Sequence, residues 1–341
     1  MQSSPSSAKS KLLVVSYEGG SGFPSSEGPS KLASYTPRRL FEPVTTALAG
    51  RFSARFLEPH SREELIRSIE AAWAPGTTVL STDHSVTYPI VKALRKRGGA
   101  LDAVIVIDQH KDIYDYKTHG PLLSKANPFR ILLDEGLLKV VIFVGSRLRE
   151  EAFLHPFVHG LNLEDRCYAL LRYVQKMHHG LEDTVFSVPV TETRSLAEGV
   201  RRAIELVKKL GYRTYGLDID LDAFDSLAAP GVDYGPNLPD RITATFERKR
   251  AAARGIARLP LLWRWHSRDR IVRNYIKHKI EDSGLDLPTG QELASIASLL
   301  KRAAPAYVHV TEFKPEFDTR DGATTRLVTQ LFGTLASNLH H

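Results

Sequence analysis

Three acidic motifs in the sequence each follow a short apolar run. Asp83-His84 comes after Thr78–Leu80, and Asp108-Gln109-His110-Lys111-Asp112 comes after Ala103–Ile107. Asp218-Ile219-Asp220-Leu221-Asp222 closes the run that begins at Tyr215, with Asp225 just beyond. A lone Asp-His pair is more often a polar loop or a helix cap, and Asp-x-His-x-Asp alone decides nothing. Together they point to a metal. In an extended backbone Asp108, His110 and Asp112 face the same way and Lys111 faces the other. Carboxylates that converge without a counter-ion repel one another and force their neighbours to protonate; a divalent cation removes that penalty. Oxygen donors with one or two imidazoles suit a hard or borderline ion such as Mn²⁺. The ligands suffice for two ions, and a pair of ions activates water as a nucleophile at neutral pH. Metal-assisted hydrolysis follows from these residues; the substrate does not.

The elements that must position these groups are written as alternating patterns. Apolar runs at Leu12–Ser16, Thr78–Leu80, Ala103–Ile107, Val140–Val144, Val185–Val190, Tyr215–Ile219 and Tyr307–Val310 are short and nearly continuous, as in strands buried on both faces. Helices start at Ser61 with Glu64, Ser195 with Glu198 and Thr289 with Glu292, each a capping-box signature. Behind them, Leu65 and Ile69, Val200 and Ile204, and Leu293 and Ile296 recur at helical spacing. Strands alternating with helices predict an α/β fold with a mainly parallel sheet between two helical layers. Ligands in such sheets gather beyond the carboxyl ends of the strands, where the acidic motifs lie.

Composition bounds the rest. A hydrophobic content of 42% and a charged content of 25% fit a soluble globular protein and exclude a coiled coil or a disordered tail. No apolar run is long enough for a membrane span. The single cysteine, Cys167, rules out an internal disulfide and a thiolate zinc site, and suits a reducing cytoplasm. Residues 1–341 read as one domain, with residues 1–10 as a disordered polar tail and residues 232–283 as a basic insertion. The net charge of +7 is concentrated in residues 241–279, where 12 basic side chains face only Glu247 and Asp269. Trp263 and Trp265 lie there too, and Arg268–Lys279 has amphipathic helical spacing. The expectation for this block is a lid or a subunit contact in preference to a nucleic-acid interface.

In order and spacing, these motifs resemble those of the ureohydrolases, the arginase and agmatinase family. The family's Gly-Gly-Asp-His-Ser corresponds to Ser81-Thr82-Asp83-His84-Ser85, and its Asp-Ala-His-x-Asp to Asp108–Asp112. Its Ser-x-Asp-x-Asp-x-x-Asp pattern, closed by Ala-Pro-Gly, corresponds to Asp218–Asp225 and Ala229-Pro230-Gly231, which puts Asp218 in the serine position. Its Val-Glu-Val-Asn-Pro corresponds to Thr311-Glu312-Phe313-Lys314-Pro315.

The resemblance implies an arginase-like fold and two Mn²⁺ ions held by His84, Asp108, His110, Asp112, Asp220 and Asp222, with Asp108 and Asp220 bridging. It also implies hydrolysis of a guanidino substrate to urea and an amine. Glu312 would orient the guanidinium, Asp112 would stabilise the tetrahedral intermediate, and His119 would deliver a proton to the leaving amine. The family further implies a homo-oligomer, a trimer or hexamer. Asn127-Pro128-Phe129-Arg130 and the Tyr-containing loop around Tyr116 are similar to agmatinase sequences, so agmatine is the first expectation, ahead of arginine and other guanidino acids. Three departures stand against full identity: Ser81-Thr82 replaces a glycine pair that permits special backbone angles, six extra residues separate His119-Gly120 from Pro128-Phe129-Arg130, and the residues after Pro230-Gly231 do not continue as the family's Thr-Gly-Thr-Pro, the pattern resuming only near Gly284–Leu293. A second reading keeps the metal site but binds an acidic partner or nucleic acid through the basic insertion, with little turnover. The deacetylase branch of the fold keeps fewer metal ligands than this chain does.

Overall fold

A computed structural model describes residues 9–17, 36–74, 76–108, 112–113, 123–125, 127–145, 181, 184–188, 195–224, 229, 287–318 and 322–335. Eight strands form one sheet: β1 (Ser10–Val15), β2 (Phe52–Leu57), β3 (Thr78–Ser81), β4 (Ala103–Ile107), β5 (Val140–Val144), β6 (Val185–Val188), β7 (Tyr215–Asp220) and β8 (Val308–Thr311). Their order is β2-β1-β3-β8-β7-β4-β5-β6, and every neighbouring pair is parallel. Seven of these strands match the apolar runs. The eighth, β2, was not expected. It pairs only with β1 at the sheet edge, and Ser53, Ala54 and Arg55 are exposed, so it never shows the continuous apolar run of a doubly buried strand.

Among the described residues the α-helices are α1 (Glu42–Leu48), α2 (Arg62–Ala72), α3 (Thr87–Lys96), α4 (Pro128–Asp134), α5 (Leu196–Lys209), α6 (Gly290–Arg302) and α7 (Ala323–Leu335). The three expected starts are real. Ser61 accepts from the backbone N–H of Glu64, Ser195 from that of Glu198, and Thr289 and Glu292 make a reciprocal capping box. Helix α3 escaped notice because its first five residues are all buried, which erases the polar face that periodicity relies on.

Strand periodicity sorts the core into two layers. Leu12, Val14, Ile105, Leu217, Ile219, Val308 and Val310 face α1, α5, α6 and α7. Leu13, Val15, Val79, Val104, Val106 and Phe143 face α2, α3 and α4. This is the three-layer arrangement expected from the sequence. Among the described residues no helix is long and apolar enough to cross a membrane. Ser10 opens β1, one residue inside the segment expected to be a disordered tail. Residues 1–8, Cys167 and the basic insertion 232–283 lie outside the described residues.

One glycine is fixed by packing. A Cβ on Gly216 in β7 would sit 2.2 Å from the Tyr307 ring, which is fully buried against that strand. Gly216→Ala is therefore expected to cost about 1–3 kcal/mol through overpacking, read as a lower urea midpoint at unchanged slope.

Candidate metal centre

The sheet order makes β3, β8, β7 and β4 consecutive neighbours, so motifs far apart in sequence end side by side. His84 enters from a single 3₁₀ turn, His84–Val86, just after β3. Asp83 caps that turn by accepting from the Ser85 N–H at 2.8 Å, so the helix-cap reading holds for Asp83 and the site reading is left to His84. Asp108 follows β4 directly, its N–H still bonded to Val144 across the strand end. Asp220 ends β7, and Asp222 sits on the next 3₁₀ turn with its N–H donated to the Asp220 carboxylate at 2.9 Å.

These groups converge. His84 Nδ1 lies 2.8 Å from Asp112 Oδ2, 2.9 Å from Asp220 Oδ2 and 3.7 Å from Asp108 Oδ2. One ligand atom from each of His84, Asp108, Asp112 and Asp220 fits within a 4.8 Å span, and all four residues are buried. Asp220, Asp222 and Glu312 form a second such group, so Asp220 belongs to both. The edge of the Phe129 or His84 ring meets its partner at 5.1 Å between centroids, which fixes the plane of the imidazole. Phe129 was noticed in the sequence only as part of a motif, and its contact with His84 was not foreseen.

Two site acids take a backbone conformation that L-residues rarely adopt. Asp112 has φ 41° and Glu312 has φ 60°, the only non-glycine residues with positive φ among those described. Such strain collects at functional sites. It also corrects the sequence argument for Asp112. The strand does not stay extended from Asp108 to Asp112; it ends at Ile107, and a left-handed residue turns the Asp112 carboxylate back toward His84. Ser81 and Thr82, by contrast, need no glycine-like backbone. The Thr82 hydroxyl instead bridges to Tyr17, donating to its carbonyl at 2.6 Å and accepting from its N–H at 2.9 Å.

The charge balance of the cluster is one that a cation could satisfy. Burial pushes the Asp108 carboxyl well up, and the charges of Asp220, Asp222 and Asp112 push it further. Burial and the Asp222 charge raise Asp220 to about 7, with His84 opposing. Burial would lower His84, but its contacts with Asp112, Asp218 and Asp220 outweigh that and raise it well above its usual value. At a separation of about 4 Å, each uncompensated pair of charges costs about 4 kcal/mol at an effective dielectric of about 20.

Glu312 is buried beside this cluster, and its Oε1 lies 3.4 Å from the Lys125 ammonium. Lys125 belongs to the stretch of extra residues before Asn127, and nothing in its sequence context signalled that contact. His110 and His119 lie outside the described residues, as does Asp225.

The raised groups set the pH dependence of the metal-free protein. Between its usual 3.8 and about 7, Asp220 binds a proton in the folded chain that the unfolded chain releases. The stability it contributes is complete below about pH 4 and is lost as pH rises through 7. Raised His84 adds a loss of the same sign at higher pH. The melting temperature without metal is expected to fall from pH 5 to pH 8, and excess Mn²⁺ to raise it most at the upper end. A metal-free melting temperature that climbs over this range would contradict the arrangement.

The Arginase family profile matches residues 30–235, a span that includes all three acidic motifs. The chain is 29% identical over 175 residues to a formimidoylglutamase of Halalkalibacterium halodurans, covering 51% of this chain and 48% of that protein. It is 26% identical over 234 residues to an N(1)-aminopropylagmatine ureohydrolase of Thermus thermophilus, covering 66% of this chain and 67% of the other. The chain thus spans about half the length of the first relative and about two thirds of the second. The fold superposes on the crystal structure of an agmatine ureohydrolase of Thermoplasma volcanium with a TM-score of 0.55 at 16% identity, over 97% of this chain and 89% of that one. With more than half of its length matched by the profile and its acidic motifs gathered at neighbouring strand ends, the chain belongs to the arginase family.

Proposed function

We propose that this protein hydrolyses a guanidino compound to urea and an amine, using divalent metal ions bound at the carboxyl ends of β3, β4 and β7. The observation that carries this reading is the buried convergence of His84, Asp108, Asp112 and Asp220 within a 4.8 Å span, with Asp222 and Glu312 adjoining. Oxygen donors with imidazole favour Mn²⁺, and His110 would complete a set for two ions. Bound metal would supply Lewis acidity and a water of lowered pKa.

The chain's own residues do the rest. Asp108, Asp220 and Asp222 fix the ligand geometry from strand ends that cannot shift without moving the sheet. Asp112 sits beside His84, placed to accept a hydrogen bond from the attacking water and to steady the tetrahedral intermediate. Glu312 accepts from guanidinium N–H groups in a charge-assisted pair, orienting the carbon for attack. His119 delivers the proton to the leaving amine.

Agmatine is the first substrate of this reading, supported by the agmatinase-like Asn127-Pro128-Phe129-Arg130 and the tyrosines near residue 116. One observation favours a second. The Lys125 ammonium beside Glu312 would attract a carboxylate and repel an additional amine, which suits a guanidino acid. A chain with one cysteine suits the cytoplasm, and the family resemblance supports a trimer or hexamer.

Urea release from agmatine, arginine and shorter guanidino acids by Mn²⁺-loaded protein tests the reading. Urea from the parent and none from Asp220→Asn is the expected result; no urea from any of them, despite bound metal, would sink it. Glu312→Gln should lower kcat/KM by about 100-fold or more. Lys125→Met separates the substrates, raising the relative rate on agmatine if a guanidino acid is the natural one and sparing the preference if it is not.

A further inference from the structure

The geometry points to Asp218 as a positioning residue that holds His84 from behind through its Nε2, so that Nδ1 is presented to the metal centre. This rests on the reading of His84 as a metal ligand. His84 lies between two sets of carboxylates. Its Nδ1 faces Asp112 and Asp220 at 2.8 and 2.9 Å, and its Nε2 lies 3.5 Å from Asp218 Oδ2. A carboxylate on the far nitrogen keeps the ring proton there and leaves the near nitrogen's lone pair for a metal, which fixes both tautomer and ring orientation.

Asp218 is itself held by a chain of hydroxyl and imidazole groups. Asp218 on β7 and His309 on β8 are register partners, so their side chains emerge together on the face that packs against α3. Thr87, the first residue of α3, donates its hydroxyl to Asp218 Oδ2. His309 Nδ1 lies 3.1 Å from the Thr87 hydroxyl and 3.4 Å from Asp218, while its Nε2 lies 2.7 Å from the Ser81 hydroxyl. The Ser81 hydroxyl also lies 3.0 Å from the Asp83 carbonyl and 3.0 Å from the Thr311 hydroxyl, and the assignment that serves Asp218 gives its proton to His309. Ser81 donates to His309 Nε2, His309 Nδ1–H donates toward Thr87 and Asp218, and Thr87 donates to Asp218. Every proton is directed at one carboxylate. All four side chains are fully buried, on the side of the sheet that carries Val79, Val104 and Val106.

Two departures from the family motifs are thereby connected. Ser81 stands where the motif has glycine, and Asp218 where it has serine. They are the opposite ends of one network: the Ser81 hydroxyl braces His309, and His309 braces Asp218. A buried carboxylate in this position needs donors, and the exchange at Ser81 supplies the outermost one.

The test is Mn²⁺ affinity, measured by competition with a chelator, together with the visible spectrum of the Co²⁺-substituted protein, for the parent and Asp218→Asn. Asp218→Asn should weaken Mn²⁺ binding by about 10- to 100-fold and shift the Co²⁺ bands, with the far-ultraviolet circular dichroism of the metal-free fold unchanged. Parent-like affinity and spectrum in the folded variant would overturn the role and leave Asp218 as a structural acid. If Asp218→Asn does not fold, the near-isosteric Thr87→Val decides, since it removes only the hydroxyl that anchors Asp218: weaker metal binding supports the proposal and unchanged binding overturns it. A parent chain that binds no divalent metal overturns the metal reading and this inference together, whereas a parent that binds metal beside an unaffected Asp218→Asn overturns this inference alone.

Discussion

Several carboxylates cannot be buried around one imidazole without positive charge among them. That constraint governs the centre of this protein. Asp108, Asp112 and Asp220 all approach His84, with Asp222 and Glu312 behind them. Burial and mutual repulsion shift the Asp108 and Asp220 carboxyls upward, and the carboxylates around it make His84 more basic. Such an arrangement costs stability that a hydrophobic plug of the same volume would not cost. A cation placed among these groups would remove that cost.

The sheet is what makes the convergence possible. Parallel strands place all their carboxyl ends on one edge, and the order β3-β8-β7-β4 sets four motif-bearing ends next to one another. The chain order of those strands is different, so no local signal could have drawn the motifs together. Two continuous apolar layers hold the strands in register from both sides. Beneath the acids, the network of Asp218, His309, Thr87 and Ser81 replaces part of one apolar layer with a directed set of hydrogen bonds. The rigid sheet fixes the positions of the ligands, and this polar layer fixes the rotation of His84.

Much of this was legible in the residues, for identifiable reasons. Strands such as Ala103–Ile107 and Val140–Val144 were found to the residue because strands buried on both faces leave an uninterrupted apolar run. Helix starts at Ser61, Ser195 and Thr289 were found because a cap is a local hydrogen bond between residues three apart. His84, Asp108 and Asp112 were expected to converge because acids gathered at strand ends are costly without a partner, Asp220 was chosen over Asp218 by the family spacing, and the structure brings the four together. What escaped was non-local. His309 reads in sequence as one polar residue in a β run, and only the register of β8 on β7 places it beside Asp218. Lys125 lies 187 positions before Glu312 and has no motif of its own. The left-handed backbone at Asp112 is another such case, since an extended strand would carry that residue about 13 Å beyond Asp108, whereas the two carboxylates offer ligand atoms within 4.8 Å of each other.

The central claim is that a divalent metal, not a set of shared protons, is the natural occupant of this cluster. Crystals grown with Mn²⁺ and measured on either side of the manganese absorption edge test it most directly. The account predicts an anomalous peak bonded to His84 Nδ1 and to oxygens of Asp108, Asp112 and Asp220, with a neighbouring peak sharing Asp220. Crystals with no anomalous signal there, and with His84 still resting on Asp112 and Asp220, would contradict it.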